Sequence, residues 1–171
     1  MPHFTFEATQ VLITPNSVLV DTNVLVAAFQ KKEENNFNAD YFLNERYDLE
    51  LLIPIVVIVE AWGFLVGARG NWGSGYSLLS WLNTPGKATI ITQKAELSLE
   101  HEVVTSLGKR IDCVDAMISR LAMEISVSCN LRRSIPIATF DTSDYYLISE
   151  RHNLNLRVFD MNVVDQTLDE L

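Results

Sequence analysis

The sequence predicts an α/β fold in which helices cover both faces of a parallel sheet. Three observations support this prediction. Short apolar runs, typical of buried strands, alternate along the chain with longer segments of helical spacing. Two of those runs end on an acid, Asp21 and Asp141, directly before a helix is expected to begin. The hydrophobic fraction of 48% is that of a globular protein with a proper core.

The predicted elements alternate in order along the chain. The strands are expected at residues 17–20, 49–53, 88–92, 135–141 and 156–159. The helices are expected at residues 22–31, 39–47, 55–66, 76–83, 94–107, 112–129 and 143–151. Pro54 suits the opening of the third helix, because its missing N–H costs nothing there. That helix is apolar nearly all round, which predicts burial on most sides. The glycine-rich stretch 67–75 predicts a break after it.

Length and composition describe one globular unit. The 171 residues predict a single domain, 1–171, with a core at about 17–160, an N-terminal extension at 1–16 and an acidic tail at 161–171. No stretch approaches the ~20 apolar residues of a membrane helix, and the start has no signal-peptide pattern. The two cysteines, Cys113 and Cys129, fit a reducing cytosol, so a cytoplasmic location is expected.

The net charge of −9 argues against a large basic surface for nucleic acid. It does not exclude a nuclease, because carboxylates that hold metal ions count against the total. Any contact with nucleic acid would then come from a few local side chains, each of which also reads as an ordinary exposed residue. The candidates are Arg69, Trp72, Lys109, Arg110, Arg120, Arg132 and Arg133.

Several acids fall at places where a sheet edge would bring them together. Asp21 and Asp141 end predicted strands, and the carboxyl ends of parallel strands share one edge. The competing interpretation of Asp21 is a helix N-cap, a role that aspartate favours. The same interpretation, a helix N-cap followed by an acid in the first turn, is open for two pairs of acids. These pairs are Asp112 with Asp115 and Asp141 with Asp144.

Glu60 is harder to explain as a structural residue. It is the only charge on the predicted third helix, and no basic residue lies three or four positions away. Its partner must come from elsewhere in the fold, and a metal ion is a good candidate. Converging carboxylates repel one another without a cation. Mg²⁺ or Mn²⁺, as hard ions that prefer carboxylate oxygen, would resolve this, and such a site hydrolyses phosphodiesters with activated water.

With these acids in order, the chain resembles the PIN-domain nucleases over roughly residues 17–160. The matching pieces are Val18-Leu19-Val20-Asp21-Thr22-Asn23-Val24-Leu25, Val59-Glu60-Ala61-Trp62-Gly63, Asp115-Ala116-Met117-Ile118-Ser119-Arg120-Leu121-Ala122 and Ile137-Ala138-Thr139-Phe140-Asp141. No single piece is specific, whereas the ordered set is.

The resemblance implies a three-layer α/β/α sandwich with a central, mainly parallel sheet of about five strands. It also implies a ribonuclease that depends on Mg²⁺ or Mn²⁺. The family's catalytic and metal-binding acids map to Asp21, Glu60, Asp115 and Asp141, with Asn23 and Thr139 as polar supports and with Asp112 and Asp144 as secondary positions. Many small members are toxins of toxin–antitoxin pairs, so an RNA substrate, an antitoxin partner and a homodimer are implied.

The sequence departs from the family pattern in three places. The link between Asp115 and Asp141 is long, Asp144 is spaced differently from Asp141, and Asp112 is an extra acid one turn before Asp115. An alternative is a catalytically inactive PIN-like domain that binds protein or RNA, which the net charge of −9 favours and the intact set of acids disfavours. A phosphoacceptor receiver domain is disfavoured, because no lysine follows Lys109.

Overall fold

The structure is a computed structural model that describes residues 13–92, Thr105 and residues 111–163. Its centre is a five-stranded sheet in the order β3-β2-β1-β4-β5, and each neighbouring pair is parallel. The strands are β1 Ser17–Val20, β2 Glu50–Pro54, β3 Thr89–Ile91, β4 Pro136–Thr139 and β5 Arg157–Asp160. The predicted α/β class with a parallel sheet of about five strands is confirmed.

The described helices alternate with these strands. They are α1 Thr22–Phe29, α2 Asn36–Glu45, α3 Ile55–Trp62, α4 Trp72–Leu82, α5 Cys113–Ser128 and α6 Thr142–His152. A π-helical segment, Gly63–Ala68, continues α3. None of the described helices has the length and apolar character needed to span a bilayer. Apart from Thr105, the helix predicted at 94–107 lies outside the described residues, as do most of the N-terminal extension and most of the acidic tail.

β1 is the centre of the sheet and the origin of the site. Val18, Leu19 and Val20 are completely buried, as expected for a strand covered on both faces. After β1, the chain places β2 and then β3 on one side of it, and later places β4 and then β5 on the other side. The strand order thus reverses between β1 and β4. In open α/β sheets, the carboxyl edge at such a reversal is where ligands bind.

The predicted fourth strand is too long, because side chains replace the strand partners beyond Thr139. The Phe140 N–H donates to the Asn23 side chain at 3.1 Å. The Asp141 N–H donates to the hydroxyl of Thr139 at 3.0 Å. β4 therefore ends at Thr139, and the chain turns directly into α6.

The predicted break at residues 67–75 is also wrong in extent. α4 begins at Trp72, where the Asn71 side chain caps it by accepting from the Ser74 N–H at 3.1 Å. Gly75 lies buried inside α4, where its lack of a side chain lets the helix pack closely against Trp62 and Val66. A glycine-rich stretch can thus serve close helix packing rather than a loop.

The expectation that the third helix is buried on most sides is wrong. Val57 and Ala61 are completely buried, but Ile55 is 38% exposed and Val59 is 66% exposed. α3 therefore presents an apolar stripe on the surface of this chain.

Replacing Gly75 with Ala is expected to lower the free energy of unfolding by about 1–3 kcal/mol, the usual range for overpacking. The added Cβ would lie 2.5 Å from Val66 Cγ2 and 3.0 Å from Trp62 Cζ3. Gly73→Ala is the matched control in the same helix, since its Cβ would meet only Asn71 Oδ1 at 3.6 Å. Urea denaturation measures both. A Gly75→Ala variant as stable as Gly73→Ala would contradict the close packing.

Candidate active site

A cleft of about 350 Å³ opens at the carboxyl edge of β1 and β4. The structure brings the acids of the sequence prediction together in this cleft, although they come from four different helices or helix starts. Its acidic lining consists of Asp21, Glu33, Glu60, Asp112, Asp115, Asp141 and Asp144. Such a concentration of carboxylates gives the cleft a strongly negative potential.

Asp21 is the most buried of these acids, at 4% exposed. One carboxylate oxygen accepts from the Thr22 N–H at 2.6 Å, so Asp21 does cap α1. The other oxygen accepts from Asn23 Nδ2 at 3.0 Å and from the Thr139 hydroxyl at 2.7 Å. Burial raises the pKa of Asp21 to about 6 in spite of these hydrogen bonds. The cap and a role in the cleft are therefore compatible.

Thr139 connects the two central strands beneath Asp21. Its side chain is completely buried. The hydroxyl donates to Asp21 and accepts from Asn23 Nδ2 at 2.9 Å and from the Asp141 N–H at 3.0 Å. Asn23 and Thr139 together fix the position of the Asp21 carboxylate.

Glu60 finds its partner in α1 rather than in a basic residue. The Thr22 hydroxyl donates to Glu60 Oε2 at 2.5 Å. Burial raises the pKa of Glu60, and this hydrogen bond partly opposes the shift. Nothing in the sequence pattern singles out Thr22 beyond its place between Asp21 and Asn23.

Asp112 and Asp115 form a capping box at the start of α5. Asp112 Oδ1 accepts from the N–H groups of Val114 and Asp115 at 2.8 and 2.9 Å. The cap interpretation of Asp112 is therefore correct. Asp115 is half-buried and lies deeper in the cleft. Burial, followed by the charges of Asp112 and Asp21, raises the pKa of Asp115 to about 8.

Asp141 and Asp144 lie at the start of α6. Asp141 occupies the N-cap position but accepts no capping hydrogen bond, so the proposed cap with an acid in the first turn does not form. Its Oδ1 instead accepts from the Ser143 hydroxyl at 2.6 Å. Burial and the charge of Asp141 raise the pKa of Asp144.

Tyr145 is a site residue that the sequence did not reveal. It is completely buried on α6, and its hydroxyl donates to Asp115 Oδ1 at 3.4 Å. Burial and the charge of Asp21 raise the pKa of Tyr145, so it remains a proton donor to the acids. A tyrosine in an amphipathic helix reads as core, and only the packing of α6 against α5 shows where the hydroxyl points.

The donor set of the cleft suits a hard divalent cation, since its charged lining atoms are almost entirely carboxylate oxygens. The pKa values of Asp21, Glu60, Asp115 and Asp144 are all raised, first by burial and further by the charges of neighbouring acids. Among the described residues, no three Asp, Glu, His or Cys side chains are grouped to ligate one ion as they stand. Metal binding would therefore require the carboxylates to draw closer.

The candidate substrate contacts are dispersed over the surface. Arg69 lines the cleft and pairs with Glu33. Arg120 pairs with Glu124 and is only 12% exposed, which leaves it unavailable to a substrate. Trp72 packs against Trp62 and Tyr76. The remaining candidates are Arg132 and Arg133, exposed outside the cleft, and Lys109 and Arg110, which lie outside the described residues.

The structure is thus a parallel α/β sheet with an acidic cleft at the point where the strand order reverses. Comparison with known families identifies which α/β proteins it resembles. The family model of the PIN domain matches residues 18–150. The chain belongs to the PIN domain family. A comparison with curated proteins finds no match.

Solved structures share the fold at low sequence identity. VapC20 of Mycobacterium tuberculosis, a toxin that cleaves the sarcin-ricin loop, matches with a TM-score of 0.53 and 14% identity over 76% of this chain and 94% of its own. VapBC2 of Rickettsia felis, bound to a DNA fragment from its promoter, matches with a TM-score of 0.53 and 18% identity over 84% of this chain and 98% of its own. FitAcB of Neisseria gonorrhoeae matches with a TM-score of 0.55 and 16% identity over 86% of this chain and 99% of its own.

Replacing Thr139 with Val is expected to lower the free energy of unfolding by about 1–3 kcal/mol, because it leaves buried donors without a partner. Asn23 Nδ2 would lose one acceptor, and the Asp141 N–H would lose its partner. Thr139→Ser keeps the hydroxyl and is the matched control. Thermal and urea unfolding measure the difference. Equal stability of the Val and Ser variants would show that the hydroxyl does not hold the strand ends together.

Proposed function

We propose that the protein is a metal-dependent endoribonuclease that hydrolyses RNA phosphodiester bonds with water. The observation that carries this proposal is the convergence of Asp21, Glu60, Asp115 and Asp141 in one cleft at the carboxyl edge of the sheet. Membership of the PIN domain family supports it. RNA is chosen as the substrate because of the family resemblance and because the similar VapC20 cleaves the sarcin-ricin loop.

The four acids would hold Mg²⁺ or Mn²⁺. When bound, the ion would lower the pKa of the attacking water and offset the negative charge that develops on the phosphate. The chain's own part is to orient the carboxylates. Thr139 and Asn23 fix Asp21, the Thr22 hydroxyl fixes Glu60, and Tyr145 supports Asp115. Asp112 and Asp144 add to the negative potential that attracts a cation.

We also propose an antitoxin partner and a cytoplasmic location. Similar folds occur in VapBC2 and FitAcB. A cleft lined by carboxylates suits a basic segment of such a partner. The candidate to co-express is the product of a small reading frame beside the gene. The two cysteines of the sequence, Cys113 and Cys129, are exposed and are not joined in a disulfide, which fits a reducing compartment.

A homodimer is the third part of the proposal, and it is supported by an apolar stripe on α3 and α4. Ile55, Val59 and Trp62 are spaced four and three residues apart, so they lie on one face of α3. Trp72 and Tyr76 contact the Trp62 ring at 6.1 and 6.2 Å between centroids and are 56% and 61% exposed. A contiguous apolar patch of this kind is typical of a surface that another chain covers.

Purified protein is expected to cleave single-stranded or structured RNA with Mg²⁺ or Mn²⁺, and EDTA is expected to abolish cleavage. Asp21→Asn should lower the rate by about 10²–10³-fold, the scale of losing one charge that stabilises a transition state. Asp40→Asn, which changes an exposed acid on α2 outside the cleft, should cleave like the parent.

Circular dichroism would confirm that both variants are folded, and Glu60→Gln provides a second test of the cleft. Calorimetric titration with Mn²⁺ separates an inactive binding domain from an enzyme. If Asp21→Asn cleaves like the parent, or if cleavage survives EDTA, the proposed mechanism fails.

Val59→Glu is expected to convert a dimer into a monomer, because it places a charge in the centre of the α3 stripe. Val127→Glu is the matched control, since Val127 is a 77% exposed valine on α5, outside this stripe. Light scattering coupled to size exclusion, over a range of concentrations, measures the mass. A parent protein that is monomeric, or a Val59→Glu variant that stays dimeric, would rule out this interface.

A further inference from the structure

This inference rests on the proposed RNA substrate. The negative charge of the cleft repels such a substrate. RNA is a polyanion, and the described lining of the cleft contains seven carboxylates. Among the described lining residues, Arg69 alone carries a positive charge. A phosphate that approaches the acids would therefore meet repulsion everywhere except at this side chain and at any bound metal.

Backbone hydrogen bonds position Arg69, and its side chain is held by a partly exposed ion pair. Its N–H donates to the Phe64 carbonyl at 3.2 Å, which closes the π-helical segment. Gly70 follows with φ of +63°, a backbone angle that glycine adopts without strain. The guanidinium pairs with Glu33, and the two side chains are 40% and 35% exposed. An exposed pair of this kind contributes little stability and is readily exchanged for another anion.

The residue whose carbonyl accepts from the Arg69 N–H is aromatic. Phe64 also lines the cleft and is 46% exposed. Arginine offers a planar fork that binds phosphate oxygens through two hydrogen bonds. An exposed aromatic ring offers a face on which an unpaired base can stack. The two side chains thus present the two contacts that a single nucleotide requires, at the rim of the carboxylate cluster.

We propose that Arg69 and Phe64 form a subsite for an unpaired nucleotide next to the scissile phosphate, with Glu33 as the resting partner of Arg69. Arg69 exchanges Glu33 for a phosphate oxygen of the RNA when the substrate binds, while Phe64 stacks on the adjoining base. Glu33 thereby weakens binding of any anion that cannot compete for the guanidinium. The substrate class is RNA that is single-stranded at this position.

Fluorescence anisotropy with a labelled single-stranded RNA, in EDTA so that no cleavage occurs, tests Arg69 directly. Arg69→Gln should weaken binding about tenfold or more, the effect of losing hydrogen bonds to a charged group. The slope of affinity against salt should fall by about one unit. Arg69→Lys should restore part of the affinity, because it keeps the charge and loses the fork.

Arg151→Gln is the matched control. Arg151 is exposed near the C-terminal end of α6, whereas Asp144 in the first turn of the same helix lines the cleft. This variant removes the same charge from the protein and should bind RNA like the parent. Phe64→Leu keeps an apolar side chain but loses the ring. It should weaken the binding of single-stranded RNA about fivefold or more and leave the binding of duplex RNA unchanged.

Glu33→Gln tests the resting pair. It should tighten binding by up to about fivefold, the limit for an exposed ion pair. In the Arg69→Gln background the same change should have a smaller effect, since no guanidinium remains to be released. An equal effect in both backgrounds would show that Glu33 acts only through its charge, and would overturn the exchange.

Kinetics with Mn²⁺ separate this inference from the proposed function. Arg69→Gln should raise KM with little change in kcat, and calorimetric Mn²⁺ binding should match the parent. If the parent cleaves RNA but Arg69→Gln keeps the KM and affinity of the parent, the proposed subsite is wrong and the proposed enzyme activity is retained. If the parent binds RNA through Arg69 without cleaving it, the enzyme proposal fails and the subsite stands. If the parent neither binds nor cleaves RNA, both fail.

Discussion

The hydrogen bonds of the buried Thr139 hydroxyl are the interaction on which the rest of the site depends. They join the end of β4 to Asp21 and Asn23 at the end of β1. Without them, the strand ends would carry a buried carboxylate and buried N–H groups with fewer partners, each of which costs free energy. One small side chain thus sets both where β4 stops and where the Asp21 carboxylate points.

The second constraint is the repulsion among the acids, and the fold offsets part of it. Asp21, Asp112 and Asp141 are the N-cap residues of α1, α5 and α6. The N-terminal ends of three helices therefore converge on the cleft, and each carries a partial positive charge. Burial raises the pKa of both Asp21 and Asp115, and the charges of neighbouring acids raise them further, so this compensation is incomplete.

Much of this arrangement follows from the sequence, because it depends on local pattern. Apolar runs located the strands, and parallel topology placed Asp21 and Asp141 at one edge. The parts that could not be foreseen depend on packing between distant segments. Gly75 reads as a loop residue until Trp62 lies against it, and Tyr145 reads as core until its hydroxyl meets Asp115. The pairing of Glu33 with Arg69 has no local signal at all.

The reversal of strand order between β1 and β4 also bears on how the protein is made. Thr139 and Asp21 are 118 residues apart, so their contact closes late among the contacts of the chain. A nascent chain that has not yet emerged from the ribosome as far as β4 lacks Thr139 and Asp141 altogether. The cleft can therefore assemble only after the chain has been synthesised past β4. Translation products that stop before β4 would lack part of the carboxylate cluster, so any activity of this site requires a chain that extends past Asp141.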